Sequence, residues 1–397
     1  MTQSGNGAKR VFISTGEVSG DLQGALLVTA LMAVATEQQM PLEIVALGGN
    51  QMAQAGVTLL GNTTAIGSVG IFEALPYLLP ILRLQRQAKR HLKANPPDVA
   101  VLIDYMGPNL AMGQYLKAKH PQVPVVYYIA PQQWVWAFSD RDTRQLVDQC
   151  DRLAAIFKAE ADYYRQHGAE ATWVGHPLVD RYPSPPDKAA ARQQLGLDPN
   201  AQVITLLPAS RRQEVTYLMP VMLQAAQQVQ ARHPEVQFLL PVSNPALGAA
   251  FEQGLVQYDL RGQVLAGQST DAIAAADVAI TKSGTANLEI ALMNVPQVVA
   301  YRLNPITAWI GRYLLRFDIP FVSPVNLVVN QPVVPEFLQW QATPAAIAAA
   351  TLDLLENTTT RQTMLAGYAK MRQELGEPGA CRRAAQLTLE LIPNSGD

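Results

Sequence analysis

The residues most able to do chemistry stand where short apolar runs end. Asp104 closes the run Val99-Ala-Val-Leu-Ile103. An acid at the carboxyl end of a buried parallel strand faces the edge where ligands bind. It reads either as a general base or as a turn residue ahead of Pro108-Asn109. Gly16-Glu17-Val18-Ser19-Gly20-Asp21 lies between a strand and a helix. Its glycines let the backbone approach a ligand, and Asp21 is placed to cap the following helix. The G-x-x-x-G spacing is no dinucleotide fingerprint, and no G-K-S/T follows, which excludes a nucleotide P-loop. Alone, the segment reads equally as a tight turn.

Two further segments, Leu206-Leu-Pro-Ala-Ser210-Arg211-Arg212 and Lys282-Ser283-Gly284-Thr285, join strands to helices in the second half. Helix-start N–H groups, the Ser210 hydroxyl and the forked Arg211 suit an anion. Ser283, Gly284 and Thr285 can cradle a diphosphate, and Glu289, one turn beyond on the same face, can accept hydrogen bonds from a ribose. Either segment alone also reads as a solvated helix start. Two in one half point to a nucleoside diphosphate. Trp134 and Trp136 read as packing before sugar stacking, and His176, in Gly175-His-Pro177, as a hinge or packing residue. The other four histidines show no metal spacing.

These residues need a framework of short buried strands alternating with amphipathic helices, a parallel α/β architecture. The first half predicts strands at Val11–Thr15, Ile44–Leu47, Val99–Asp104, Val123–Ile129 and Leu153–Phe157, with a helix over Asp21–Ala35. Tyr182-Pro-Ser-Pro-Pro-Asp187 cannot be helical and predicts a linker. The alternation then restarts with strands at Val203–Leu207, Val236–Leu240, Val278–Thr281 and Val298–Tyr301, and helices over Gln213–His233 and from Thr285. From Pro344 the tail is helical to about Leu391. The expected organisation is a first Rossmann-like domain over 1–182, a linker over 183–187, and a second over 188–370. The last segment, 371–397, is a helix that crosses back to the first domain or swaps onto a partner. Two doubly wound sheets would place the site in the cleft between them.

Composition narrows the class. In 397 residues, 49% are hydrophobic and 16% charged, which excludes a disordered chain. The net charge of −2 argues against nucleic acid held by bulk charge. Cys150 and Cys381 make neither a disulfide framework nor a zinc site, so a cytoplasmic setting is expected. The polar start is no signal peptide. Ile66–Leu84 is greasy but broken by Glu73, Pro76, Pro80 and Arg83, so it falls short of a membrane span. It carries Val69, Ile71, Phe72, Leu75, Leu78, Leu79 and Leu82, then runs into Arg83, Arg86, Lys89 and Arg90. That order suits a membrane interface, or else a buried helix with a solvated end.

Seven motifs in register carry a resemblance: Gly16-Glu-x-Ser-Gly-Asp21, Ile103-Asp104, Pro131-x-x-Trp-x-Trp136, Gly175-His-Pro177, Leu207-Pro-x-Ser-Arg211, Ser283-Gly-Thr-Ala-x-x-Glu289 and Tyr301-Arg302. In that order the chain resembles the lipid-A-disaccharide synthase family from end to end. The resemblance implies a GT-B fold and a metal-independent, cofactor-free inverting transferase. Its reaction joins UDP-2,3-diacylglucosamine to 2,3-diacylglucosamine 1-phosphate and releases UDP. It implies peripheral attachment to the inner membrane through the greasy segment, and is compatible with a homodimer. Asp104 would be the base, with Glu17 as the alternative. Ser210, Arg211, Ser283, Gly284, Thr285, Glu289 and Asn326 would serve the donor. Gly16, Ser19, Asp21 and Asn109 would shape the acceptor side.

The sequence departs from the family pattern on the acceptor side. Tyr105-Met-Gly-Pro-Asn109 replaces a Pro-Asp-Phe-Asn stretch, with Gly107 where an Asp is usual. Asn50-Gln51 replaces a Pro-Arg pair, and Ala209 stands for the Gly of the Leu-Pro-Gly-Ser-Arg segment. These changes keep two other readings open: a UDP-sugar transferase with another acceptor, and a non-catalytic, membrane-associated UDP-sugar-binding protein.

Overall fold

The computed structural model describes residues 7–64, 78–135, 140–302 and 321–393, and only the backbone of Glu17, Val18, Leu78 and Asp140. Val69, Ile71, Phe72, Leu75 and Trp136 lie outside the described residues. The chain divides into two compact units, Met1–Asp180 with Leu375–Asp397, and Arg181–Glu374.

Each unit is built on one parallel sheet. The first holds β1 (Lys9–Ser14), β2 (Leu42–Gly48), β3 (Thr58–Asn62), β4 (Val99–Ile103), β5 (Val125–Tyr128), β6 (Arg152–Ala155) and β7 (Ala171–Trp173). Their order is β3-β2-β1-β4-β5-β6-β7. The second holds β8 (Val203–Leu207), β9 (Gln237–Val242), β10 (Gly262–Ala266), β11 (Val278–Lys282), β12 (Gln297–Tyr301) and β13 (Glu336–Leu338). Their order is β10-β9-β8-β11-β12-β13. Helices cover both faces of such sheets, so central strands are apolar throughout: every residue of β4 is fully buried. In each sheet the chain winds outward one way, then returns to wind the other way. The reversals fall between β1 and β4 and between β8 and β11. Such reversals open a crevice at the carboxyl ends of the strands.

Sequence patterning misses β3, β7, β10 and β13, which are the four edge strands. Edge strands are short and part-exposed, so they carry little apolar signal. Helix α1 spans Glu17–Glu37, starting four residues before the expected Asp21. Gly16–Asp21 is therefore its cap and first turn rather than an open segment. The expected helix over Gln213–His233 is two helices, Arg212–Tyr217 and Met219–Arg232. Pro220 explains the break, because its ring admits only the first turn of a helix.

Over Ser19–Glu37, α1 is long and apolar enough by composition to cross a bilayer. Within the unit, its Leu27, Val28, Leu31 and Val34 are buried. The helix packs against β2 and the C-terminal helix Ala380–Leu389. Asp180 caps that last helix, accepting from the N–H groups of Gly379 (2.5 Å), Ala380 (3.1 Å) and Cys381 (2.8 Å).

His176 is buried with its ring 5.2 Å from that of Phe157, and its Nδ1 accepts from the Leu178 N–H at 3.1 Å. Burial lowers its imidazole from 6.5 to about 3. Below about pH 6.5 the unfolded chain takes a proton that the folded chain refuses, so stability present above 6.5 is lost as pH falls toward 3. At pH 5 the loss is about 2 kcal/mol. Urea melts at pH 7.5 and 5 should show this loss, and His176→Asn, which keeps an acceptor for Leu178, should remove most of it.

Candidate active site

The candidate residues sit at the two reversals. In the first unit Asp104 is exposed, immediately beyond β4. Asp104 (φ 46°) and Tyr105 (φ 49°) are both left-handed, as is Ile129 (φ 57°) just beyond the neighbouring β5. Non-glycine residues hold that conformation only where surrounding contacts impose it. Here the Asp104 N–H donates to Ile129 O (3.0 Å). Its carbonyl accepts from Asn109 Nδ2 (2.8 Å) and the Tyr127 hydroxyl (3.1 Å).

Asn109, expected on the acceptor side, is fully buried and acts on the backbone. Its Nδ2 also donates to Ile103 O (2.9 Å) and Ser14 O (3.2 Å), while its Oδ1 accepts from the Ser14 hydroxyl (2.7 Å). It joins the ends of β1 and β4 and fixes the turn that presents Asp104. Asp21 is likewise spent. Rather than capping α1, it reaches α2 (Asn50–Gln54), accepting from the N–H groups of Gly49 (2.8 Å), Gln51 (3.0 Å) and Met52 (3.1 Å). Gly16 is needed for space, because a Cβ there would lie 2.3 Å from the Tyr105 ring. Ser19 is half-buried in the first turn of α1; the Glu17 side chain lies outside the described residues.

In the second unit Ser210 and Arg211 follow β8, and Ser283, Gly284 and Thr285 follow the adjacent β11. Part of the expected anion site made of helix-start N–H groups is taken up by the chain itself. Glu214 accepts from Ser210 N–H (2.6 Å) and Arg211 N–H (3.1 Å), and Asn287 accepts from Gly284 N–H (3.0 Å). The Ser283 hydroxyl donates to Val322 O (2.8 Å). Glu289 keeps its position in the helix Ala286–Leu292, with Arg181 Nη1 at 3.6 Å. Burial raises its carboxyl above the usual range, and Arg181 opposes that.

Asn326, expected to contact the donor, is buried with its amide fully used. Its Nδ2 donates to Val334 O (2.9 Å) and Glu336 (2.7 Å), and its Oδ1 accepts from the N–H groups of Val333 (2.8 Å) and Val334 (2.9 Å). It braces the chain ahead of β13. Glu160, Glu214 and Glu336 are missed by sequence reasoning. Glu160 ties Ala130 to β6, accepting from the N–H groups of Ala130 (2.9 Å) and Ile156 (2.8 Å). For Glu160 and Glu214 the available signal was an acid at the third helical position, the mark of a capping box.

Two doubly wound parallel sheets, each with chemically able residues at its strand-order reversal, define a GT-B type of nucleotide-sugar protein. Residues 11–391 match the family model "Lipid-A-disaccharide synthetase". The chain belongs to that family. A lipid-A-disaccharide synthase of Gloeothece citriformis is 54% identical over 96% of this chain and 100% of its own length. Another, from Synechocystis sp., is 54% identical over 96% and 97%. Among solved structures, a UDP complex of S. aureus MnaA superposes with a TM-score of 0.67 over 97% of this chain and 98% of that one. At 13% identity, that likeness concerns the fold alone.

Replacing Asn109 by Leu removes a four-bond brace at matched volume. It should cost on the order of 2–3 kcal/mol in urea unfolding, with a larger proportional loss of turnover as the Asp104 turn relaxes.

Proposed function

We propose that the chain is an inverting glycosyltransferase that joins UDP-2,3-diacylglucosamine to 2,3-diacylglucosamine 1-phosphate, forming the β-1,6-linked disaccharide and releasing UDP. The observation that carries this reading is Asp104: in a member of this family, an exposed acidic residue held on a left-handed turn at a strand-order reversal. Asp104 takes the proton from the acceptor 6-hydroxyl as that oxygen attacks the anomeric carbon from the face opposite the diphosphate. The glycosidic bond to UDP breaks as the new one forms. Charge grows on the departing diphosphate, and Arg211 offers it forked donors. Glu289 receives the ribose hydroxyls, with Arg181 beside it. Asn109, Asp21 and Asn326 serve by holding backbone. Among the described residues nothing lies within 4 Å of a Cβ built on Gly107, so a Cβ there would meet no contact.

The test is product analysis. The purified chain should convert the two substrates to a disaccharide phosphate with matching UDP release. Asp104→Asn should lower turnover by about 10²–10⁴-fold while leaving UDP affinity unchanged. UDP-sugar binding without that product would favour another acceptor or a binding role; unchanged turnover in the variant would remove Asp104 as the base.

The same reading places the protein against the cytoplasmic face of the inner membrane. Helix α3 (Leu78–Ala94) buries Gln85, Ala88 and Leu92, while Leu79 is 66% and Leu82 48% exposed. Arg83, Arg86, Arg90 and Lys93 follow on its exposed side. An apolar first turn leading into cations suits the acyl–headgroup boundary of an anionic bilayer. Because both leucines are exposed, Leu79→Ser with Leu82→Ser should leave the melting temperature unchanged. Co-flotation with anionic vesicles should fall severalfold.

A further inference from the structure

The carboxyl end of β11 carries a cation that the proposed mechanism does not yet use. Lys282 Nζ lies 3.1 Å from Glu214 Oε1, and its side chain is only 15% exposed. Arg211 Nη1 approaches the same oxygen at 3.6 Å. The other oxygen, Oε2, holds the segment after β8, accepting from the N–H groups of Ser210 (2.6 Å) and Arg211 (3.1 Å) and from the Ser210 hydroxyl (3.3 Å). One buried carboxylate thus gathers two cations from adjacent strand ends. Burial alone would raise the Glu214 carboxyl. Lys282, the Ser210 N–H and Arg211 outweigh it and hold the group below its usual range, so it is ionised at neutral pH.

Lys282 also reaches the turn expected to receive phosphate. A Cβ on Gly284 would lie 3.6 Å from Nζ, so the ammonium sits beside the middle residue of Ser283-Gly284-Thr285. The N–H groups of Ser210, Arg211 and Gly284 are already engaged by Glu214 and Asn287. The charge of an incoming diphosphate calls for cationic side chains beside those N–H groups. An ammonium on a flexible four-carbon stem can turn between a carboxylate and a phosphate oxygen.

We propose that Lys282 is the second diphosphate-binding cation of the donor site, with Glu214 as the residue that positions both Lys282 and Arg211. This rests on the UDP-sugar reading above and adds to it a residue that sets discrimination for the diphosphate. Its contribution should vanish for ligands that lack the second phosphate.

The experiment is calorimetric titration of the full chain with UDP, UMP and uridine. In the wild type, UDP should bind more tightly than UMP, and UMP more tightly than uridine. Lys282→Met, which keeps the apolar stem, should lower the UDP-to-UMP affinity ratio about tenfold or more, the scale of one charge-assisted hydrogen bond. Uridine affinity should be unchanged. Lys282→Arg, which retains a cation beside Glu214, should restore most of the ratio. A merely structural lysine would shift all three ligands together. An unchanged UDP-to-UMP ratio in Lys282→Met, with the wild type still preferring UDP to uridine, overturns the role of Lys282 and leaves the donor reading standing. A wild type that binds UDP no better than uridine overturns both.

Discussion

A backbone that leaves a parallel strand loses its ladder partners, and its N–H and C=O groups must then be satisfied some other way. This protein meets that constraint with buried and half-buried polar side chains. Asp21 serves three N–H groups before and within α2. Asn109 serves the carbonyls at the ends of β1 and β4, and Asp180 serves the start of the C-terminal helix. Glu160, Glu214, Asn326 and Glu336 do the same elsewhere. Each bond is modest in net terms, but a buried group left unpaired costs about 1–3 kcal/mol, so these residues are hard to replace.

The same constraint separates the groups that hold the site from the groups left to react. A side chain whose hydrogen-bonding capacity is consumed by backbone cannot also move a proton or grip a substrate. Asn109, Asp21 and Asn326 belong to the first kind. The proposed role puts Asp104 in the second, as an exposed residue whose backbone is held by Asn109, Tyr127 and Ile129. The strained turn is a consequence: with Asn109 and Tyr127 fixing the carbonyl and Ile129 the N–H, the residue has no relaxed conformation to fall into. In the second unit the division is less sharp. Glu214 is bound to backbone through one oxygen and gathers cations with the other.

Much of this protein was determined by its sequence alone. Buried strands such as Val99–Ile103 are runs of apolar residues with a punctuating residue at the end, so pattern suffices to find them and the candidate position beyond them. The family followed from motif order, which is a property of the chain and needs no coordinates. The edge strands, the break before Pro220 and the early start of α1 were not legible to the same degree. Edge strands lack a continuous apolar signal, and helix boundaries depend on local capping. Only the tertiary structure could decide which polar residues are taken up by backbone. Asp21 and Gly49, or Ser14 and Asn109, are far apart in sequence and meet only when the sheet closes. Whether a carboxylate is spent or left exposed depends on which N–H groups the fold brings to it. Residue type and local spacing do not encode that.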